Sequence, residues 1–404
     1  MVRRYVYCVA VLFVAVAFLS IPTSACAQQA KVRTLSEQEL VDMMMGSSIQ
    51  ASRGNNTASM VDRLKKLLAG GKTLTMISVD DLPDDWTTVS VAGVGGGGAW
   101  EYVTERVKQQ NLPTVSNSSL LAVETLSKYL GKKFNATIRI EAASATLTAL
   151  VLAADLGVPV VDACLSGRAR PEVQQQIPTS VGILTAPAAL ATRFGDTMII
   201  ERVVDDYRAE DLSRAVAVGS GGGVSMAMNA MSGRDVKRAV IPGALSQAIL
   251  FGRTVREAVA QGKDPIAALV KASNGYKLFQ GTVTKCVTKG DRGFTWSDVT
   301  LNGIGPYAGH TYRVYVKNEN IVTWLDDVPD AMSPDFISDL DPKTGDAHFA
   351  GPLGAYKEGA EVVMVGFPSS PLWRTPNALK LFGPRHFGFD FDYVPLEQLQ
   401  KQRK

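Results

Sequence analysis

A chain of 404 residues exceeds one ordinary domain, and its length alone suggests two. Hydrophobic residues make up 46% and charged residues 20%, which excludes a disordered chain, while 36 glycines and 19 prolines are too few for a collagen-like or low-complexity architecture. A net charge of +3 lacks the basic excess of a nucleic-acid binder, and the three histidines, His310, His348 and His386, constrain any zinc hydrolase built on clustered imidazoles.

The chain opens on a leader. Arg3 and Arg4 precede an apolar run over 6–21, and Ala25-Cys26-Ala27 supplies the small-x-small ending that suits signal peptidase. The run is shorter than the about 20 residues of a spanning helix, and an uncleaved N-terminal anchor is the alternative. Residues 1–27 are therefore expected to be a signal peptide, cleaved after Ala27, of a secreted or periplasmic protein. Cleavage removes Cys8 and Cys26 with the two arginines, leaving Cys164, Cys286 and a near-neutral surface. Two distant cysteines are not a disulfide scaffold, although one bridge stays open.

No period of 20–50 residues recurs, so solenoids and propellers are excluded. Ser36-Glu37-Gln38-Glu39 is a capping box that opens a helix running to 45, and a second helix over 58–68 ends at Gly70-Gly71. Strands are expected over 73–79 and 87–92, parted by an Asp- and Pro-rich turn, then helices over 99–110 and 118–130. A strand over 137–141, a helix over 144–156 and an apolar strand over 158–162 form a βαβ crossover, which implies a parallel sheet covered on both faces. A strand over 197–203 precedes helices near 210–216, 243–261 and 264–273. Met226, Met228 and Met231 read as core filling. Beyond Gly275 the chain turns into short β-type runs at 278–287, 293–300, 311–316, 320–325, 336–339 and 361–366. The expected fold class is α/β, a parallel or mixed sheet with helices on both faces, over 34–275. A smaller all-β, barrel-like domain follows over 276–397, and its tail at 383–397 is free to pack back on the first.

Open parallel sheets bind ligands at the carboxyl ends of their strands. One such end is the run Gly93 to Gly98, where Gly95, Gly96, Gly97 and Gly98 lead into a helix with Glu101 in its first turn. Such a loop suits substrate binding through backbone N–H groups, though a turn with no ligand is the plain alternative. Its letters spell GxGxxG, but the acidic strand end expected about 20 residues on falls among helices, so no nucleotide is expected. Two more ends carry Glu141 and Asp162, carboxylates that could hold a cation or divide into acid and base, or else cap helices or pair with Arg168. Arg168 could clamp a carboxylate or imide oxygen, or pair with Glu172. Cys164 reads as a buried thiol sooner than a nucleophile or soft metal ligand. His386, inside Gly383-Pro384-Arg385-His386-Phe387, is the best histidine candidate if the tail folds back onto the sheet.

These residues carry a resemblance. The Gly-rich strand end, Glu141, Val160-Val161-Asp162, Gly167-Arg168-Ala169 and Pro171-Glu172 resemble the S-methyl-thiohydantoin desulfurase family, often labelled hydantoinase-like. Asn318-Glu319-Asn320, Pro334-Asp335-Phe336-Ile337, Trp373-Arg374 and the stretch from Gly383-Pro384-Arg385 to Tyr393-Val394-Pro395 extend the likeness over 35–397. The resemblance implies an α/β domain, a β-barrel-like domain, and hydrolysis of a five-membered cyclic amide or thioamidine that releases a thiol. Two departures stand out: Gly46-Ser47-Ser48-Ile49-Gln50 replaces a glycine-rich segment, and Asp162-Ala163-Cys164 loses one carboxylate of an Asp-x-Asp.

The combined expectation is an exported hydrolase of a hydantoin-like ring, with a small-molecule-binding protein of the same fold as the alternative. Glu141, Asp162, Arg168 and Glu172 are the catalytic candidates, and Gly95–Gly98, Glu101 and Arg385 the substrate-binding ones. If a divalent metal is used, Asp162, Cys164 and His386 are its candidate ligands. The expected partner is a small-molecule substrate, with no nucleic acid and no membrane after leader cleavage, and a homo-oligomer is compatible.

Overall fold

The computed structural model describes residues 31–52, 56–347 and 356–403; the expected leader with its Ala25-Cys26-Ala27 ending, and His348, lie outside them. The capping box forms as expected. Ser36 Oγ accepts from the Glu39 amide at 3.3 Å, and Glu39 accepts from the Ser36 amide at 3.0 Å. The helix it starts, Glu37–Gln50, continues past residue 45 because its second half crosses the helix Ala244–Ala260 in backbone contact. A Cβ on Gly46 would lie 1.8 Å from the Ala248 carbonyl oxygen, and one on Gly252 1.9 Å from that of Asp42.

Nine strands build the first sheet: β1 (Val32–Thr34), β2 (Thr75–Ile77), β3 (Thr88–Gly95), β4 (Ala136–Arg139), β5 (Val160–Cys164), β6 (Ala188–Thr192), β7 (Thr197–Ile200), β8 (Gly223–Met228) and β9 (Ile241–Pro242). Their order is β1-β2-β5-β4-β3-β8-β6-β7, with β9 paired to the far end of β5. The centre, β2-β5-β4-β3, is parallel, and the βαβ crossover of β4, helix Ser144–Leu156 and β5 lies within it. The other pairings are antiparallel, so the sheet is mixed. Helices cover both faces, as the alternation along β3 requires: Val89 and Val91 pack with Val123, Leu126 and Leu152, whereas Ala92 and Val94 pack with Ala217 and Val236.

Strands β6 and β8 are additions to the expected set. Both are built largely of Ala, Gly and Met, residues that signal strand weakly, and both are buried on two faces by helices. Met226 and Met228 fill the core on one side, and Ala189, Ala191 and Ala227 let the helix Ser118–Leu130 approach on the other.

A second sheet contains β10 (Tyr276–Asp291), β11 (Phe294–Gly303), β12 (Thr311–Lys317), β13 (Glu319–Leu325), β14 (Val328–Met332), β15 (Phe336–Leu340) and β16 (Glu361–Phe367). It is wholly antiparallel, ordered β14-β13-β12-β11-β10-β16-β15. The sheet curls until its edge strands approach each other, a half-barrel whose interior holds Phe279, Leu301, Tyr312, Val314 and Ile337. Strand β14 escapes sequence reading because Pro329 argues against a strand and its hairpin turns on Asp326-Asp327, both at positive φ, in place of an Asn-Gly pair. Cys164 and Cys286 are both free thiols. Among the described residues no helix is long and apolar enough to cross a membrane.

The crossing at Gly46 and Gly252 has a direct consequence. Gly252→Ala should lower the unfolding free energy by about 1–3 kcal/mol, the usual cost of overpacking a tight contact, as read by denaturant titration.

Candidate active site

The segment that follows β5 is irregular yet buried throughout 165–176. A buried stretch without regular structure must find hydrogen-bond partners for its backbone elsewhere. Arginines supply them. Arg168 donates to the carbonyl of Ala169 (3.2 Å), Arg170 to those of Glu172 (2.7 Å) and Val173, and Arg214 to that of Pro171 (2.9 Å), while Arg168 also donates out of the segment to the carbonyls of Asp335 (2.5 Å) and Asn320 (2.6 Å). Glu210 accepts from the Val173 amide at 2.8 Å and pairs with Arg214 at 2.7 Å. Trp373 Nε1 donates to the Ser166 carbonyl at 2.7 Å.

So held, the segment presents Glu172 to a cleft of about 800 Å³ between the two sheets. Helix Asp206–Gly219 forms one wall with Tyr207, Glu210 and Arg214; the β10–β11 hairpin forms another with Arg292, Phe294 and Trp296. The tail returns through the short turn Pro384–Phe387, which seats His386 Nε2 2.6 Å from Glu172 Oε2. Lys317, directly across the ladder from Trp296, binds Glu172 Oε1, with its ammonium 4.2 Å from the Phe294 ring centre and 4.9 Å from that of Trp296. Gln174 Nε2 donates to Glu172 Oε2 at 2.5 Å. Burial pushes the Glu172 carboxyl up, but the hydrogen bond and charge of His386, together with Lys317, outweigh it and hold the pKa at about 2.

The other candidate residues lie elsewhere. Asp162 Oδ1 accepts from the amides of Leu245 and Ser246 at 2.9 Å and Oδ2 from Ser246 Oγ at 2.5 Å, so the carboxylate caps the helix Ala244–Ala260. Glu141 accepts from the Arg170 amide at 3.0 Å; burial raises its pKa, opposed by Arg170, Arg214 and Arg139. Neither lines the cleft, because one points at a helix start and the other at the buried segment. Arg168 is fully buried against backbone carbonyls, desolvation lowers its pKa to about 10, and Glu172 is not among its partners.

The glycine run serves packing. Gly96 N–H donates to the Gly222 carbonyl at 3.3 Å, and Cβ atoms on Gly95, Gly96, Gly97 and Gly98 would lie 2.3–2.7 Å from backbone atoms, at Gly222 for Gly95 and on the hairpin Gly290–Gly293 for the other three. Only Gly98 of the four reaches the cleft. Glu101 is exposed, and Arg385 is an exposed partner of Asp392 (2.5 Å) and Asp390 (3.2 Å). The departure at Gly46–Gln50 also lies away from the cleft: Ser47 and Gln50 hydrogen-bond the buried Arg139 guanidinium at 3.4 and 3.0 Å.

The metal set does not assemble. Asp162 caps a helix, Cys164 Sγ accepts from the Gly167 amide at 3.1 Å, and His386 is bound to Glu172. Among the described residues no group of three or more His, Cys, Asp and Glu is placed to hold an ion, so these donors do not fit a metal centre. Sequence reading missed Lys317, Tyr207, Gln174 and Trp296. The triple Gln174-Gln175-Gln176 was a usable signal, being three amides in a buried setting, but the Trp296–Lys317 juxtaposition exists only through strand register.

The low pKa of Glu172 carries a sign. A carboxyl held at about 2 in the fold, against 4.5 when free, adds stability in full above 4.5 that fades as pH falls towards 2. Unfolding measured from about pH 6 down to about pH 2.5 should therefore show the wild type losing stability more steeply than Glu172→Gln. Parallel curves would reject this account of the ion cluster.

Comparison with known proteins adds an independent line. A crystal structure of a protein from Chromobacterium violaceum superposes with a TM-score of 0.70 over 90% of this chain and 100% of its own, at 20% identity, a likeness that speaks for the fold. No curated protein matches. Two family models do: the S-Me-THD-like N-terminal domain over 38–202 and the S-Me-THD-like C-terminal domain over 204–396. They meet before β8, whereas the sheets change over at Tyr276, so the second model includes strands and helices that complete the first sheet. Together these matches run through both sheets and the returning tail, and the chain belongs to the S-Me-THD-like family.

Proposed function

We propose that the protein is an exported hydrolase of hydantoin-like rings, S-methyl-thiohydantoins included, with its chemistry in the Glu172–His386–Lys317 cleft. The observation that carries the reading is the 2.6 Å Glu172–His386 pair facing an aromatic-walled cleft, with room for a ring and its substituents, in a chain of this family. Export rests on the basic, apolar and Ala25-Cys26-Ala27 sequence of the leader.

A carboxylate that accepts from Nε2–H fixes the imidazole tautomer and leaves Nδ1 as the base. His386 then takes a proton from water as the water oxygen bonds to the ring carbon that bears sulfur. Negative charge develops on the tetrahedral adduct beside the Lys317 ammonium, which keeps donors to spare after binding Glu172. Collapse of the adduct breaks the C–S bond, the departing thiolate takes the proton held by His386, and the hydroxyl proton passes to the ring nitrogen as the carbonyl forms. One water is consumed, and a thiol and a ring carbonyl are formed. With an unsubstituted hydantoin the same sequence breaks the ring C–N bond. Phe294 and Trp296 wall the cleft and hold the Lys317 ammonium over both rings, with Arg214 over that of Phe294.

Turnover of a panel of hydantoins and S-methyl-thiohydantoins by the mature protein tests this. His386→Asn and Glu172→Gln should each lower kcat by about 10²–10⁴-fold, the range for loss of general base catalysis. Asp162→Ala should instead keep turnover within a few-fold and lower stability by about 1 kcal/mol, the cost of a lost helix cap. Saturable ring binding with no turnover would identify a binding protein and reject the hydrolase.

A further inference from the structure

The Glu172–His386 bond joins residues more than two hundred positions apart, so its geometry depends on how firmly their two supports are held against each other. Glu172 rides on the buried segment 165–176. His386 rides on the turn Pro384–Phe387, which follows the helix Pro376–Phe382. A carboxylate orients an imidazole for chemistry only if the two meet within about 0.5 Å of the productive geometry.

Trp373 touches both supports. It is fully buried, with its backbone in the short turn Pro371–Arg374. Its indole N–H donates to the Ser166 carbonyl at 2.7 Å, which ties it to the segment that carries Glu172. Its ring packs edge-to-face on Phe382, with centres 5.2 Å apart, which ties it to the end of the helix that leads to His386. Phe382 is itself fully buried, and the Arg168 guanidinium of the same segment lies 5.3 Å from its ring centre. From Phe382 the contact passes to Phe387 at 6.1 Å, and Phe387 meets the His386 imidazole edge-on at 5.0 Å. Tyr207 adds a second ring contact to the imidazole at 6.1 Å.

The line Trp373–Phe382–Phe387 therefore runs from the buried segment to the imidazole, and the imidazole closes the circuit on Glu172. Tryptophan suits its place because it joins a large apolar ring to a donor at the ring edge, so one side chain fills the space and satisfies a carbonyl of an irregular buried stretch. Phenylalanine there would keep an aromatic ring and leave the Ser166 carbonyl without this donor.

We infer that Trp373 is a positioning residue that holds the His386 imidazole in register with the Glu172 carboxylate. It acts from outside the cleft, whose walls it does not form. Its effect on turnover rests on the hydrolase reading, whereas its effect on the Glu172–His386 bond does not.

Proton NMR of the mature protein carrying isotope-labelled histidine tests the inference. Exchange of the His386 Nε2–H with water reports the bond to Glu172, and His386→Asn identifies the signal. Trp373→Phe should speed that exchange about tenfold or more. It should also lower kcat by about 10–100-fold with KM within about twofold, because a misplaced base slows the chemistry while the ring still binds. Tyr312→Phe strips an equally buried ring of its bonds to Thr323 (2.9 Å) and Asp330 (2.8 Å) inside the half-barrel, and should leave exchange and kcat at wild-type values. Phe382→Leu, which keeps the Ser166 bond and breaks the line of rings, should reproduce the effect and serves if Trp373→Phe does not fold. Wild-type exchange in Trp373→Phe, or equal acceleration in Tyr312→Phe, would overturn the inference whatever the turnover. Failure of both Trp373→Phe and Phe382→Leu to fold would mark Trp373 as a residue of the core alone and overturn it too. Faster exchange in a protein that turns over no ring would leave the positioning in place and reject the hydrolase.

Discussion

The structure depends on hydrogen-bonding an irregular segment that lies where solvent cannot reach it. Residues 165–176 leave the parallel sheet at the end of β5 and run through the junction between the two sheets. The carbonyls of Ala169, Pro171, Glu172 and Val173 would be orphaned there, at about 1–3 kcal/mol each, without the guanidinium groups of Arg168, Arg170 and Arg214. Guanidinium suits the task because it offers five donors in a plane and stays charged even when desolvated. Arg168, by donating to Asp335 and Asn320, also ties the segment to the second sheet, so one side chain serves both loop order and the docking of the halves.

The site follows from that arrangement. A segment held on all sides can carry Glu172 into a cleft in one fixed orientation, and the second half of the chain then brings Lys317 and His386 to it. The carboxylate is thereby kept ionised despite burial, and it fixes the orientation of the His386 ring and of the Gln174 amide. The glycine run at Gly95–Gly98 contributes by close backbone approach: without side chains it admits the Gly290–Gly293 hairpin, whose neighbours Phe294 and Trp296 wall the cavity. Glycines that resemble a ligand loop in sequence thus act here as a docking surface for backbone.

Much of the fold was legible because its signals are local. The capping box at Ser36–Glu39, the βαβ crossover, and the change to short β-type runs after Gly275 all rest on neighbouring residues, and the chain adopts them. Strands β6 and β8 were not legible, since Ala- and Met-rich segments become strands only when helices cover both faces. At the site the split is sharper. Asp162 was expected at a strand end, where a catalytic carboxylate should sit, yet it lies within β5 and its lone pairs are taken by the start of a helix more than eighty residues away.

By itself the sequence determined the α/β-then-β order, the family likeness and the presence of Glu172 and His386 in distinctive stretches. Only the tertiary structure decided which carboxylate faces a cavity. Glu172 and His386 are separated by more than two hundred residues, and Lys317 meets Trp296 through a strand pairing. Hydrogen-bond partners, burial and the resulting pKa are properties of that assembled junction. A sequence lists groups able to titrate, and the surroundings built by distant segments decide which of them will.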